Sequence, residues 1–171
     1  MKERESNGTG SDGEGAARQY LSFLLEDEEY AVDVLRVREI RVWESATPLP
    51  NTAPFIKGVI NLRGALVPVI DLRERFGLAP RPYGPRTVVI VLAVEEGGRE
   101  RIMGLVVDGV SNVCSLAPAE ISPAPDFCGA VHADFITGLA TQAEGMLILL
   151  DSDRLLNLEE IQATNLFGAI R

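Results

Sequence analysis

At 171 residues the chain can form one domain or two small ones sharing a core, and burying roughly 70% of the unfolded surface requires no disulfide staple. With 16 Lys and Arg against 25 Asp and Glu, the formal charge of −9 opposes nucleic-acid phosphate and anionic lipid, leaving proteins or small ligands as partners. Hydrophobic residues make up 46% of the chain, yet no run approaches the roughly 18 to 20 apolar residues of a membrane span, and the start lacks a signal-peptide core, so a cytoplasmic protein is expected.

Residues 1–17 hold four glycines and several charges but no Val, Ile, Leu or aromatic residue, which predicts a disordered tail. Strand patterns begin at Tyr20–Leu25, turn at the acidic Glu26-Asp27-Glu28-Glu29, and resume at Tyr30–Val34, continuing toward Val37–Val42. A helix over residues 34–43 is the competing reading. Three prolines between Thr47 and Pro54 exclude a regular element there. Next comes a hairpin, Phe55–Ile60 and Leu66–Ile70, whose turn contains Arg63-Gly64. Glycine permits the positive φ such a turn needs, and it sets Arg63 on a rigid corner. Arg63 is then either a solvated turn residue or a partner's anchor. Pro68 removes a ladder donor and predicts a sheet edge or a bulge. Asp71 is placed to cap one or two helical turns that stop at Gly77.

After a Pro-rich connector at 79–86, Thr87–Val94 reads as a strand buried on both faces. Glu96-Gly97-Gly98 turns into Arg101–Val107, and Val110–Leu116 follows Asp108-Gly109. A second Pro-rich loop, Pro118–Pro125, leads to Phe135–Leu139 and Met146–Asp151. An internal repeat now becomes visible. Phe55-Ile56-Lys57-Gly58 matches Phe135-Ile136-Thr137-Gly138, Asp71 matches Asp151, and Phe76-Gly77-Leu78 matches Leu156-Asn157-Leu158. Each half runs strands, Pro-rich loop, Phe-Ile-x-Gly, hairpin and an Asp-capped turn, which predicts two similar small antiparallel β-barrels. Asn157 can also cap a closing helix from Leu158, with Glu160 completing a capping box. At the place of Arg63 the second copy has no arginine and a turn read as one residue longer, so Arg63 is not simply required by the barrel.

Catalytic chemistry is not assembled by the sequence. His132 is the only histidine, and no Gly-x-Ser-x-Gly elbow accompanies it. Cys114, Cys128, His132 and Asp134 lack the close pairs of a metal site. Asp151-Ser152-Asp153 starts like a calcium loop but has Leu156 and Gln162 where glycine and glutamate belong, so helix capping explains it better. Asp33 and Asp108 stand in apolar strands and are expected to be satisfied structural carboxylates. No enzyme and no cofactor are expected.

The motifs Tyr30-Ala31-Val32-Asp33-Val34, Val37-Arg38-Glu39-Ile40, Pro54–Val59, Asn61-Leu62-Arg63-Gly64, Val67–Arg73 and Arg75-Phe76-Gly77 together resemble the CheW family of bacterial chemotaxis adaptors, from about Gln19 to Glu160. The resemblance implies a mainly β fold: two intertwined five-stranded SH3-like barrels with short helical turns and a C-terminal helix. It divides the chain into a tail at 1–17, a CheW-like domain at 18–160 with barrel one at about 18–78 and barrel two at about 87–150, and a C-terminal helical segment at 151–171. It also implies a non-enzymatic role joining the helical cytoplasmic tips of chemoreceptors to the regulatory domain of the histidine kinase CheA, with other CheW copies as further array partners. The receptor positions carried over are Val37, Glu39, Gly58, Arg63 and Gly64. The kinase positions are Asp126 and Phe127, within Pro123-Ala124-Pro125-Asp126-Phe127. Ser122 stands where some members have arginine, which puts a ring-closing contact in question. The alternatives are a CheW-like module of another two-component pathway or of a larger kinase, and a small-ligand-binding barrel.

Overall fold

Short apolar stretches punctuated by Gly- and Pro-containing turns build two curled sheets in the computed structural model, which describes residues 16–125, 133–143 and 145–157. The strands are β1 (Arg18–Leu25), β2 (Glu28–Asp33), β3 (Val37–Val42), β4 (Ile56–Leu62), β5 (Ala65–Asp71), β6 (Val88–Glu96), β7 (Arg99–Val107), β8 (Gly109–Leu116), β9 (Ile121–Ser122), β10 (Ile136–Gln142) and β11 (Gly145–Leu150). Single helical turns, α1 (Leu72–Arg75) and α2 (Ser152–Leu155), follow β5 and β11. One sheet has the order β8-β1-β2-β11-β10-β9, the other β3-β6-β7-β5-β4.

This order corrects the contiguous division into barrels at 18–78 and 87–150. Those spans are the repeats, whereas the barrels exchange strands. The five-stranded sheet runs from 37 to 107, and the six-stranded one combines 18–33 with 109–150. The chain crosses between sheets twice, through a 3-10 turn at Val34–Arg36 and through Asp108. Asp33 accepts the Leu35 amide at 2.9 Å and so breaks the strand that the sequence pattern continues toward Val42. Of the competing helix, only that three-residue turn forms.

Strand alternation distributes the core. Val89 and Val91 of β6 join Val69, Val106, Trp43 and Tyr83 on the five-stranded sheet's own side. Tyr20, Ala31, Leu116, Ala140, Leu147 and Leu149 form the matching cluster of the other sheet. Ile90, Leu92 and Val94 face a third cluster, shared by both sheets, with Phe23, Tyr30, Ile70, Met103 and Ile148. β6 is therefore buried on both faces, as its unbroken apolar run predicts.

The repeat holds at the level of single bonds. Asp71 N–H donates to Phe55 O and Asp151 N–H to Phe135 O, each at 2.8 Å. Asp71 Oδ1 accepts the Glu74 amide and Asp151 Oδ1 the Arg154 amide, each at 3.2 Å. The ladders of β4 with β5 and of β10 with β11 both slip by one residue just before Gly58 and Gly138. The two hairpin turns are also equal in length, since Leu62 pairs with Ala65 and Gln142 with Gly145, which corrects the expected extra residue. Gly77, at φ +80°, closes α1 as expected.

Pro68 is neither on an edge strand nor in a bulge of its own. Val59, its partner on β4, donates its amide to Thr47 O and accepts the Thr47 amide at its carbonyl, each at 2.9 Å, and β5 pairs with β7 only from Val69 onward. No ladder donor is wanted at position 68. The tail at residues 1–15 and the closing helix from Leu158 lie outside the described residues.

Candidate functional site

Two positive φ angles in succession, +52° at Arg63 and +92° at Gly64, fit the two-residue type I′ turn that matches strand twist. The Asn61 carboxamide oxygen accepts the Gly64 amide at 2.8 Å and fixes the turn from beneath. Arg63, a residue type that ordinarily avoids this backbone region, is held there with its side chain 75% exposed. Its Nη2 donates to Glu39 Oε1 at 2.7 Å, and Arg41 Nε lies 3.5 Å from Glu39 Oε2. Glu39 is thus flanked by two guanidiniums, Arg41 from its own strand and Arg63, which bridges β3 to the β4–β5 turn, elements at opposite edges of the five-stranded sheet.

Strand alternation explains the grouping. Val37, Glu39 and Arg41 are the half-buried positions of β3, while Arg38, Ile40 and Val42 are exposed. Ile40 (44%), Val42 (64%) and Leu66 (69%) leave apolar surface on β3 and beside the Arg63 turn. Beneath lies a slot lined by Arg41, Trp43, Thr47, Ile60 and Asn61. Gly58 sets the wall of that slot. It is buried with φ +131°, and a Cβ there would stand 2.0 Å from Thr47 O, the atom that accepts the Val59 amide. Gly58 therefore shapes the site through its backbone. It lets residues 43–47 close the gap between β3 and β4.

Of the residues singled out in the sequence, Glu39 and Arg63 touch, Gly64 completes the turn, Gly58 supports the adjoining wall, and Val37 lies two positions before Glu39, packed on the shared core. Asp126 and Phe127 lie outside the described residues. Arg41 and Thr47 were missed. A period-two count from Glu39 points to Arg41, whereas nothing local in the sequence points to Thr47.

Among the described residues no group of acids, Cys or His is arranged to hold a metal, and no helix is long and apolar enough to cross a membrane. Burial, with the nearby charge of Glu29, pushes the Cys114 thiol above its ordinary pKa. Tyr83 packs edge-on against Trp43 at 4.6 Å and donates to Asp71; burial and that bond push its phenol up.

Fold and site define a class, a strand-exchanged double barrel whose outward chemistry is a braced arginine among apolar side chains, suited to docking another protein. A family model described as the CheW-like domain matches residues 19–160. The chain is 46% identical over 149 residues to the chemotaxis protein CheW of Klebsiella aerogenes, covering 87% of each chain. It is 33% identical to CheW of Bacillus subtilis, covering 84% of this chain and 89% of that one. The crystal structure of the scaffolding protein TtCheW from Thermoanaerobacter tengcongensis superposes with a TM-score of 0.74 at 32% identity, covering 82% and 92% of the two chains. The chain belongs to the CheW-like domain family.

Proposed function

We propose that this chain is a non-enzymatic chemotaxis adaptor that joins the helical cytoplasmic tip of a chemoreceptor to the regulatory domain of the histidine kinase CheA and supports the assembly of signalling arrays with further copies. The observation that carries the reading is the Arg63–Glu39 pair. A guanidinium fixed at a tight turn loses little freedom on docking, and its apolar neighbours suit a helix laid across them. Val37, Glu39, Gly58, Arg63 and Gly64 form the receptor side, with Gly58 acting through the backbone. Asp126 and Phe127 are assigned to the kinase side on sequence likeness. The protein works in the cytoplasm at receptor arrays, where many weak contacts add through high effective concentration. A barrel that holds a small ligand fits less well, because Trp43, Tyr83 and the valines fill the inner side of the five-stranded sheet.

Co-sedimentation with a receptor signalling fragment, alongside a pull-down with purified kinase, tests the proposal. Arg63→Glu is expected to keep its circular dichroism and melting temperature, to lose the receptor and to retain the kinase. Receptor binding unchanged by that substitution would remove Arg63 from the interface.

A further inference from the structure

The two halves of the repeat are tied together by two ion clasps at corresponding places, and the clasps have opposite polarity. At the first, the buried Arg73 of α1, its side chain 3% exposed, donates to Glu26 of the β1–β2 turn and to Asp108 of the β7–β8 crossover. Asp108 Oδ2 also accepts the Glu26 amide at 2.9 Å. Burial opposes the charge on Arg73, but the hydrogen bonds and attraction of Asp108 and Glu26 outweigh it and hold its pKa above the ordinary arginine value. At the second, Asp153 of α2, the position matching Arg73 in the repeat, accepts from Arg36 of the β2–β3 crossover at 2.8 Å. Its other oxygen accepts the amide of Glu95, near the end of β6 in the β6–β7 hairpin, at 2.8 Å.

Each clasp is built from corresponding parts: a backbone amide of the first hairpin and a helical-turn residue from one half, and a crossover residue from the other. In the first clasp the carboxylate that reaches across from the other half comes from the crossover, beside Glu26 of Arg73's own half, and the guanidinium from the helical turn; in the second the crossover brings the guanidinium and the helical turn the carboxylate. The N-terminal half therefore carries cations at both positions, Arg36 and Arg73, and the C-terminal half carries anions at both, Asp108 and Asp153. Pairing unlike halves satisfies both clasps. Pairing two N-terminal halves would set Arg73 against Arg36, and pairing two C-terminal halves would set Asp153 against Asp108.

From this we infer that the clasps are a pairing code. They select the association of an N-terminal with a C-terminal half and reject like-with-like pairing between neighbouring copies of the chain. An internal repeat whose halves share one fold needs such a device, since strand exchange between identical halves of two molecules competes with closure within one, and opposed charges discriminate at little cost in shape. The inference goes beyond the proposed adaptor role and stands or fails without it.

Full-length variants separate the code from a merely stabilising role. In the double variant Arg36→Asp with Asp153→Arg, both clasps still join a carboxylate to a guanidinium, but all crossovers are now acidic and all helical turns basic, so like halves can pair. Arg73→Asp with Asp108→Arg does the same with the opposite sign. Refolded from denaturant at high protein concentration and followed by size-exclusion chromatography with light scattering, each double variant is expected to form several-fold more exchanged oligomer than wild type, persisting on dilution. The fourfold variant makes one half wholly acidic and the other wholly basic, and is expected to return to the wild-type distribution. Equal oligomer fractions in all four proteins would overturn the inference. So would a double variant that no longer melts cooperatively, because each exchange only copies the polarity of the other clasp.

Discussion

Arg63 and Gly58 shape one site by different means, and substitutions should separate them. Arg63 is exposed, so its loss removes only a surface ion pair with Glu39 and changes chiefly what the surface offers. Gly58 is buried against Thr47, so Gly58→Ala must push the Thr47 carbonyl aside or abandon the bridge to Val59. Urea titration is expected to show a loss of about 2 kcal/mol or more for Gly58→Ala, against no loss for Gly84→Ala, where a Cβ meets open space and the backbone is unstrained. Equal effects at the two glycines would mean that the Thr47 contact is not what position 58 requires. Tyr83 supplies a pH test. Its phenol is harder to ionise in the folded protein than in the unfolded chain, so its contribution is complete below the unfolded value of about 10 and is lost as pH rises above it. Melting curves of Tyr83→Phe and wild type should converge in strongly alkaline buffer.

At the scale of elements, the local signals were legible because they depend on neighbours in sequence. Asp71 and Asp151 cap single turns through the same bond, and Asp→Ala at either is expected to cost about 1 kcal/mol by denaturant titration. The larger loss should fall at Asp71, which also receives Tyr83. A loss at Asp151 as large as that at Asp71 would show that the Tyr83 bond adds nothing. The Arg63-Gly64 turn was equally readable, although the second positive φ, at arginine, was not, since the motif announced only the glycine. Pro68 exposes the limit of such rules. Its missing donor was inferred correctly, but whether a strand lies at an edge depends on β7, more than thirty residues away, and no local pattern carries that.

The whole molecule was partly legible. The repeat disclosed two like units, and the resemblance supplied their intertwining, but contiguous division failed because β2 and β3 belong to different sheets. Consecutive strands usually pair with each other, and here a three-residue turn carries the chain out of one barrel into the other. Likewise the Arg63–Glu39 contact joins residues 24 apart, and only the barrel's curl brings them together. The shared cluster gives the two barrels one core between them. Leu92→Ala, in that cluster, is expected to cost about 2–5 kcal/mol and to lower hydrogen-exchange protection in both sheets by the same factor. Protection lost from the five-stranded sheet alone would show two independent folding units.

Strand exchange also sets a timetable on the ribosome. Every strand of the five-stranded sheet has been synthesised by residue 107, when the β1–β2 hairpin, made before any of them, still lacks every other strand of its own sheet. The hairpin that leads the fold in sequence is thus among the last parts to find its neighbours, and its apolar face needs shelter throughout that interval.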